Sequence, residues 1–259
     1  MPLSTSQREK IRALLAKKIQ EKLQGCARES TSMPFLTRII QDSEKVASYS
    51  FIHSIATMLG MSIYEDVSKI IAEENSEEVR TKVDLGGTLS QDQKSVIANI
   101  VRGLRNKERS VNKTNETREV LSAPSIGSKS QKEGKIADFY MKRNGVEYYF
   151  EIKTVKPNID VFTASKTKLL EWIARKRKPV KTIIAFPYNP YHPEPYHRFT
   201  EQGLLAHGEE FLVAEEYWDF LGGKGTFKDL LEEFDKVGKE FKDSILKKIK
   251  EVAKEKMKY

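Results

Sequence analysis

Lys135-Ile-Ala-Asp138-Phe-Tyr-Met-Lys-Arg-Asn144-Gly145-Val-Glu-Tyr-Tyr-Phe-Glu151-Ile152-Lys153-Thr-Val155 reads as two β-rich runs joined by Asn144-Gly145. That dipeptide suits a type I′ turn, in which both central residues take positive φ, so the runs should pair antiparallel. Side chains alternate faces along a strand. Glu151 and Lys153 should therefore share one side, with Phe150 and Ile152 on the other, and Asp138 should face Glu151 near the ladder. Tyr148, Tyr149, Phe150 and Ile152 leave few polar positions on the second run, which reads as largely buried.

Two carboxylates and a lysine in such a strand are costly to bury unless a divalent cation neutralises the acids. Mg²⁺ is the natural candidate, because it takes carboxylate, carbonyl and phosphate oxygens and retains waters. Asp138 and Glu151 would supply carboxylates, and the backbone carbonyl of Ile152 a further oxygen. Lys153 would hold the attacking water or offset charge on a phosphoryl group. The competing reading is a solvent-facing Glu151–Lys153 ion pair that contributes little to stability.

Outward from the hairpin, residues 1–122 read as a helical N-terminal region, and 123–259 as an α/β core with C-terminal helices. Ser6-x-x-Glu9, Ser62-x-x-Glu65 and Ser90-x-x-Gln93 are capping-box patterns, each ahead of an apolar stripe at helical spacing. Val46, Tyr49, Ile52, Ala56 and Leu59 form another stripe, expected to stop at Gly60. Residues 122–134 form a polar connector. A helix over Lys166–Lys178 ends at Pro179, and Val180–Phe186 has the composition of a buried strand. Strand, helical crossover and strand together predict a mixed sheet with at least one parallel pair. From Thr226 onward, apolar residues recur at helical spacing, interrupted by Gly238.

Charge points to a polyanion. The 259 residues carry 45 Lys and Arg against 37 Asp and Glu, a formal net of +8, which favours DNA or RNA. The segment Ser165–Lys181 holds seven of the basic residues and one acid, Glu171. Lys166, Lys168, Arg175, Lys176, Arg177 and Lys178 are thus candidate phosphate contacts, with complementation of a helix C-terminus as the alternative. Asn189 lies in the Pro187–Pro195 loop after the buried strand and is a candidate base contact. His192 and His197 lack a third ligand in a recognised pattern, so no zinc site is read there. Cys26 is the single cysteine; it excludes an intramolecular disulfide and suits a reducing cytoplasm. No run is long and apolar enough for a membrane span. A soluble, cytoplasmic protein is expected.

Asp138, then thirteen residues later Glu151-x-Lys153, resembles the PD-(D/E)xK nuclease signature, although Ile136-Ala137 stands where its proline would be. With the helical first half, the Phe186-Pro-Tyr-Asn-Pro loop and Glu216-Tyr-Trp-Asp-Phe-Leu-Gly-Gly223, the chain resembles the TdeIII-like type II restriction endonucleases. The resemblance implies a PD-(D/E)xK mixed-sheet core flanked by helices, with Asp138, Glu151 and Lys153 catalytic. It further implies Mg²⁺ as cofactor, cleavage of both strands of duplex DNA at a palindrome, GGNCC if the kinship is close, and a cognate DNA methyltransferase as genetic partner. A homodimer follows from the symmetry of such a target. Glu116 and Glu119 are both candidates for a further acid. A repair or structure-specific nuclease of the same fold, or a noncatalytic DNA-binding protein, remain alternatives.

Overall fold

A computed structural model describes residues 2–25, 32–127, 129–130, 134–153, 156–196 and 203–255. Cys26, His197, Thr154, Val155 and connector residues 128 and 131–133 lie outside the described residues. The chain divides into two compact units, Ile71–Thr226 and Pro2–Ile70 with Phe227–Tyr259.

The second unit is helical. It contains α1 (Thr5–Gln24), α2 (Pro34–Ile40), α3 (Ser43–Met58), most of α4 (Tyr64–Ala72), and α9 (Thr226–Glu255) from Phe227 onward. The α1 capping box uses Ser4 and Gln7, two residues ahead of the expected Ser6 and Glu9. Gly60 does not stop the second stripe, because a π-helical segment, Leu59–Ile63, runs directly from α3 into α4. Val46 is buried as expected, but Tyr49 and Ile52 are half exposed, and Ala47 and Phe51 are buried in their place. Gly238 does not break α9, since the apolar stripe continues on both sides of it. Buried Glu233 on α9 accepts Arg8 Nη1 at 2.8 Å and pairs with Arg12 Nε at 3.0 Å.

The first unit is built on a five-stranded mixed sheet in the order β1-β4-β5-β6-β7. β1 (Glu78–Asp84), β4 (Ile136–Arg143) and β5 (Val146–Ile152) are antiparallel neighbours. β5, β6 (Lys181–Phe186) and β7 (Phe211–Val213) run parallel. A small ladder pairs β2 (Thr88–Leu89) with β3 (Lys129–Ser130). α5 (Gln91–Arg105), α6 (Lys113–Ser122), α7 (Ile159–Lys176) and α8 (Glu215–Gly222) complete the unit. The expected mixed sheet is present. β1, however, lies in the region expected to be wholly helical: Val79, Thr81 and Val83 alternate with exposed Arg80, Lys82 and Asp84, a period-two pattern that suits a charged edge strand.

The hairpin forms as its turn chemistry requires. Asn144 has φ 53° and Gly145 φ 74°, and the ladder runs from Arg143↔Val146 to Phe139↔Phe150. On one face of the sheet Tyr140 and Tyr149 pack against each other, and Tyr149 lies against Trp172 of α7. On the other face Phe139 and Phe150 pair, and Phe150 lies against Tyr217 of α8. Asp138 and Glu151, each two residues along from a tyrosine, therefore occupy the α7 face. α7 itself begins seven residues earlier than expected, capped by the Asn158 side chain on the Val161 N–H.

Candidate active site

Asp138 and Glu151 stand one step beyond the Phe139↔Phe150 pair, where β4 and β5 reach the end of their ladder. β5 and β6 are parallel there, and the Lys153 N–H donates to the Ala185 carbonyl at 2.9 Å. Carboxyl ends of strands in open α/β sheets are where such folds place ligands.

The Ile152 N–H donates to Asp138 Oδ2 at 2.7 Å, which locks the first carboxylate to the second strand. Lys153 Nζ lies 2.7 Å from Glu151 Oε1, so the two do share a side. Their pairing is not a solvent-facing ion pair on the glutamate side: Glu151 is only 4 % exposed. A second cation, Lys168 Nζ from α7, lies 3.2 Å from the same oxygen. Glu151 Oε2 is buried and finds no hydrogen-bond partner among the described residues.

These surroundings drive the two carboxyls apart. Burial lifts Asp138 above the ordinary carboxylate range; the Ile152 N–H and Lys168 oppose this, and the neighbouring Glu151 adds to it. Burial also pushes Glu151 up, but Lys168 and Lys153, with the Ser165 hydroxyl, outweigh it and hold this carboxyl below its usual value. Two acids with pKa values pushed in opposite directions, beside two lysines, form a candidate reaction centre.

The raised Asp138 carboxyl has a consequence for stability. Its folded-state pKa lies above its unfolded value, so ionisation opposes folding as pH rises through that interval. Asn keeps an acceptor for the Ile152 N–H and removes the charge. Asp138→Asn is expected to raise the melting temperature of the metal-free protein near neutral pH, measured by differential scanning calorimetry. An unchanged or lower melting temperature would contradict the burial argument.

The basic segment does not form one surface. Lys166 is wholly buried: its Nζ lies 2.5 Å from Glu116 Oε2 and 2.6 Å from Glu210 Oε1. It has no surface to offer a phosphate, contrary to expectation. Arg175, 4 % exposed, donates to the Gly86 carbonyl and is equally withdrawn. Lys178 pairs with Glu147, toward the opposite end of β5 from Glu151. Lys176 sits over the Tyr149 ring, and exposed Arg177 donates to Thr88 Oγ1. Of the six, Lys168 alone is placed at Glu151 by these contacts. Asn189, expected to touch bases, is committed to its own loop: its Nδ2 donates to the Glu194 carbonyl and its Oδ1 accepts the Tyr191 N–H.

Glu116 is held by Lys166 and accepts the Asn112 N–H, and Glu119 is paired with Arg109. Among the described residues no group of three or more His, Cys, Asp or Glu is arranged to hold a metal ion. The acids at the site are Asp138 and Glu151. Charge density along the chain offers Lys168 as one of six phosphate contacts without setting it apart; its spacing does, since Ser165, Lys168 and Trp172 recur on one face of a helix.

Residues 3–238 match the family model described as "Type II restriction endonuclease, HinfI". The chain belongs to the HinfI family. It is thus similar to restriction enzymes, hydrolases that cut DNA, and the site residues from Asp138 to Lys168 all fall within the matched span. Among curated relatives, the type II restriction enzyme HgiEI of Herpetosiphon aurantiacus is 28 % identical over 198 residues, covering 73 % of this chain and 71 % of HgiEI. The type II restriction enzyme MjaII of Methanocaldococcus jannaschii is 29 % identical over 209 residues, covering 74 % of this chain and 55 % of MjaII. HgiCII, also from Herpetosiphon aurantiacus, is 26 % identical over 206 residues, with 77 % and 75 % covered. The expected kinship with type II restriction endonucleases is met, and the family that matches is HinfI where a TdeIII-like one was expected. Among the described residues no helix is long and apolar enough to cross a membrane.

Proposed function

We propose that this HinfI-family member is a site-specific endonuclease whose hydrolytic centre is Asp138, Glu151 and Lys153, with Mg²⁺ as cofactor. The observation that carries this reading is the buried Glu151 Oε2, without a hydrogen-bond partner among the described residues, beside an Asp138 carboxyl raised by burial. Buried polar atoms are normally satisfied, and an all-oxygen pair of acids is the donor chemistry of a hard divalent cation. The residues present therefore fit such an ion, which type II restriction enzymes generally use. Asp138, Glu151 and the Ile152 carbonyl would hold it. Once bound, Mg²⁺ would supply Lewis-acid polarisation of the phosphate and a more acidic water.

The side chains do the rest. The Ile152 N–H keeps Asp138 oriented toward the end of β5. Lys153, 29 % exposed at its side chain, keeps its ammonium at the mouth of the site, where it can hold the attacking water and offset charge on the phosphoryl oxygens. The sheet end excludes solvent from Glu151, which strengthens both effects.

The substrate is duplex DNA cut on both strands at a palindrome, with GGNCC the sequence implied by the TdeIII-like resemblance. A two-fold homodimer would present one centre to each strand. A cytoplasmic enzyme of this kind needs a cognate methyltransferase to protect the host's own sites. Incubating the protein with plasmid DNA and Mg²⁺ tests the reading. Discrete fragments are expected; smearing, or cleavage of branched DNA alone, would point to a structure-specific nuclease, and intact DNA shifted on a gel to a noncatalytic binder.

A further inference from the structure

Glu151 Oε1 receives two ammonium groups from different elements: Lys153 at 2.7 Å from the end of β5 and Lys168 at 3.2 Å from the middle of α7. A single carboxylate balances one positive charge. The other acid, Asp138, has no ion pair of its own among the described residues and takes its hydrogen bond from a neutral peptide N–H. Lys168 also acts on Asp138 across space, so the two acids face two ammonium groups; a divalent cation held by the acids would leave both ammonium groups for a phosphate.

Its placement is firm. Lys168 Nζ lies 5.2 Å from the centroid of the Trp172 ring, one helical turn on. That indole is wholly buried, and its Nε1–H donates to the Gly134 carbonyl at 2.7 Å. Two residues before Lys168, the buried Lys166 ties α7 to Glu116 of α6 and to Glu210 ahead of β7. A charge carried on a helix pinned in this way is better fixed than one on the chain end after β5. The Lys168 side chain is still 24 % exposed, so it is not sealed in the core.

We propose that Lys168 is a second catalytic cation: its Nζ contacts a nonbridging oxygen of the scissile phosphodiester and offsets the charge that grows there as a water oxygen bonds to phosphorus and gives its proton to solvent, and the bond to the leaving oxygen breaks, that oxygen taking a proton from solvent. The inference rests on the reading of Asp138, Glu151 and Lys153 as the hydrolytic centre. It separates Lys168 from the sequence-independent backbone contacts expected of the basic segment, which would strengthen binding without affecting the bond-breaking step. Preorganised donors aimed at developing charge are worth about 10²–10³-fold in rate.

The test compares wild type with Lys168→Met on one cleavable DNA duplex. Single-turnover cleavage in Mg²⁺ at saturating enzyme gives the rate; fluorescence anisotropy with Ca²⁺ in place of Mg²⁺ gives the affinity and its salt dependence. Lys168→Met is expected to cut roughly 10²–10³-fold more slowly when saturated, with affinity and melting temperature close to wild type. A saturated rate like that of wild type overturns the proposal. Were that rate joined by weaker binding and a salt slope reduced by about one, Lys168 would be a backbone anchor instead. Lys168→Gln carries the same comparison if the methionine variant does not fold. Wild type that leaves DNA intact overturns the underlying reading too, whereas a cutting wild type with an equally fast Lys168→Met overturns this inference alone.

Discussion

Asp138→Asn is expected to lose DNA cleavage by about 10³-fold or more, because a ligand lost from a Lewis-acid site forfeits several kcal/mol of charge stabilisation at about tenfold per 1.4 kcal/mol. The substitution changes one oxygen to nitrogen and leaves an acceptor for the Ile152 N–H, so the strand end should keep its shape. It removes half of the anionic charge that Asp138 and Glu151 present to a cation. Lys153→Met should fall by a similar amount for a different reason, the loss of the ammonium 2.7 Å from Glu151 Oε1. Both variants are expected to bind duplex DNA in gel shifts nearly as wild type does. The same Asp138→Asn protein should be the more heat-stable one without metal, and that opposition separates a lost reaction from a lost fold. A variant that cuts at the wild-type rate would remove Asp138 from the centre.

The second large effect lies within the sheet unit, away from the proposed chemistry. Lys166→Met is expected to destabilise the protein by about 3–5 kcal/mol, the range for breaking a buried ion pair by deleting one partner. Lys166, Glu116 and Glu210 are each fully buried, and Lys166 Nζ reaches both carboxylates. Lys113 Nζ completes the group, 3.1 Å from Glu210 Oε1 and 2.7 Å from Thr182 Oγ1. Burial depresses the Lys113 ammonium, and Lys166 nearby adds to that, while Glu210 opposes it. Deleting Lys166 strands negative charge in the interior that one remaining lysine cannot balance. Denaturant unfolding monitored by the fluorescence of Trp172 and Trp218 measures the loss. Adding Glu210→Gln should recover part of it, since the two changes act on one network; a loss below about 1 kcal/mol would show the group to be far better solvated than its burial indicates.

Lys166 and Lys168 also show what a sequence conceals. Two residues apart on α7, they point about 200° from each other around the helix, one into a closed ionic group and one to Glu151 at the end of β5. In a count of basic residues they are identical. The hairpin was legible because its signals are local: positive φ at Asn144 and Gly145 is a backbone demand met by few residues, and strand alternation then dictates which side chains meet. β1 was legible in principle, through Val79, Thr81 and Val83, but its charged alternate positions resemble a surface helix. Glu210 gave no local sign, because its partners come from α6 and α7, 97 and 44 residues away along the chain. Asn189 misled for a physical reason: in a proline-rich loop its amide closes the turn that the prolines cannot close with N–H groups of their own.

Glu151 is the residue on which the lysines, the buried oxygen without a hydrogen-bond partner among the described residues and the end of the β4–β5 ladder converge. Digestion of one plasmid by wild type and by Glu151→Gln, side by side in Mg²⁺, bears on it most directly. Wild type should yield a fixed set of fragments with ends at one short repeated sequence, and Glu151→Gln should leave the plasmid intact while still shifting it on a gel. Equal fragment patterns from the two proteins would contradict a hydrolytic centre built on Glu151.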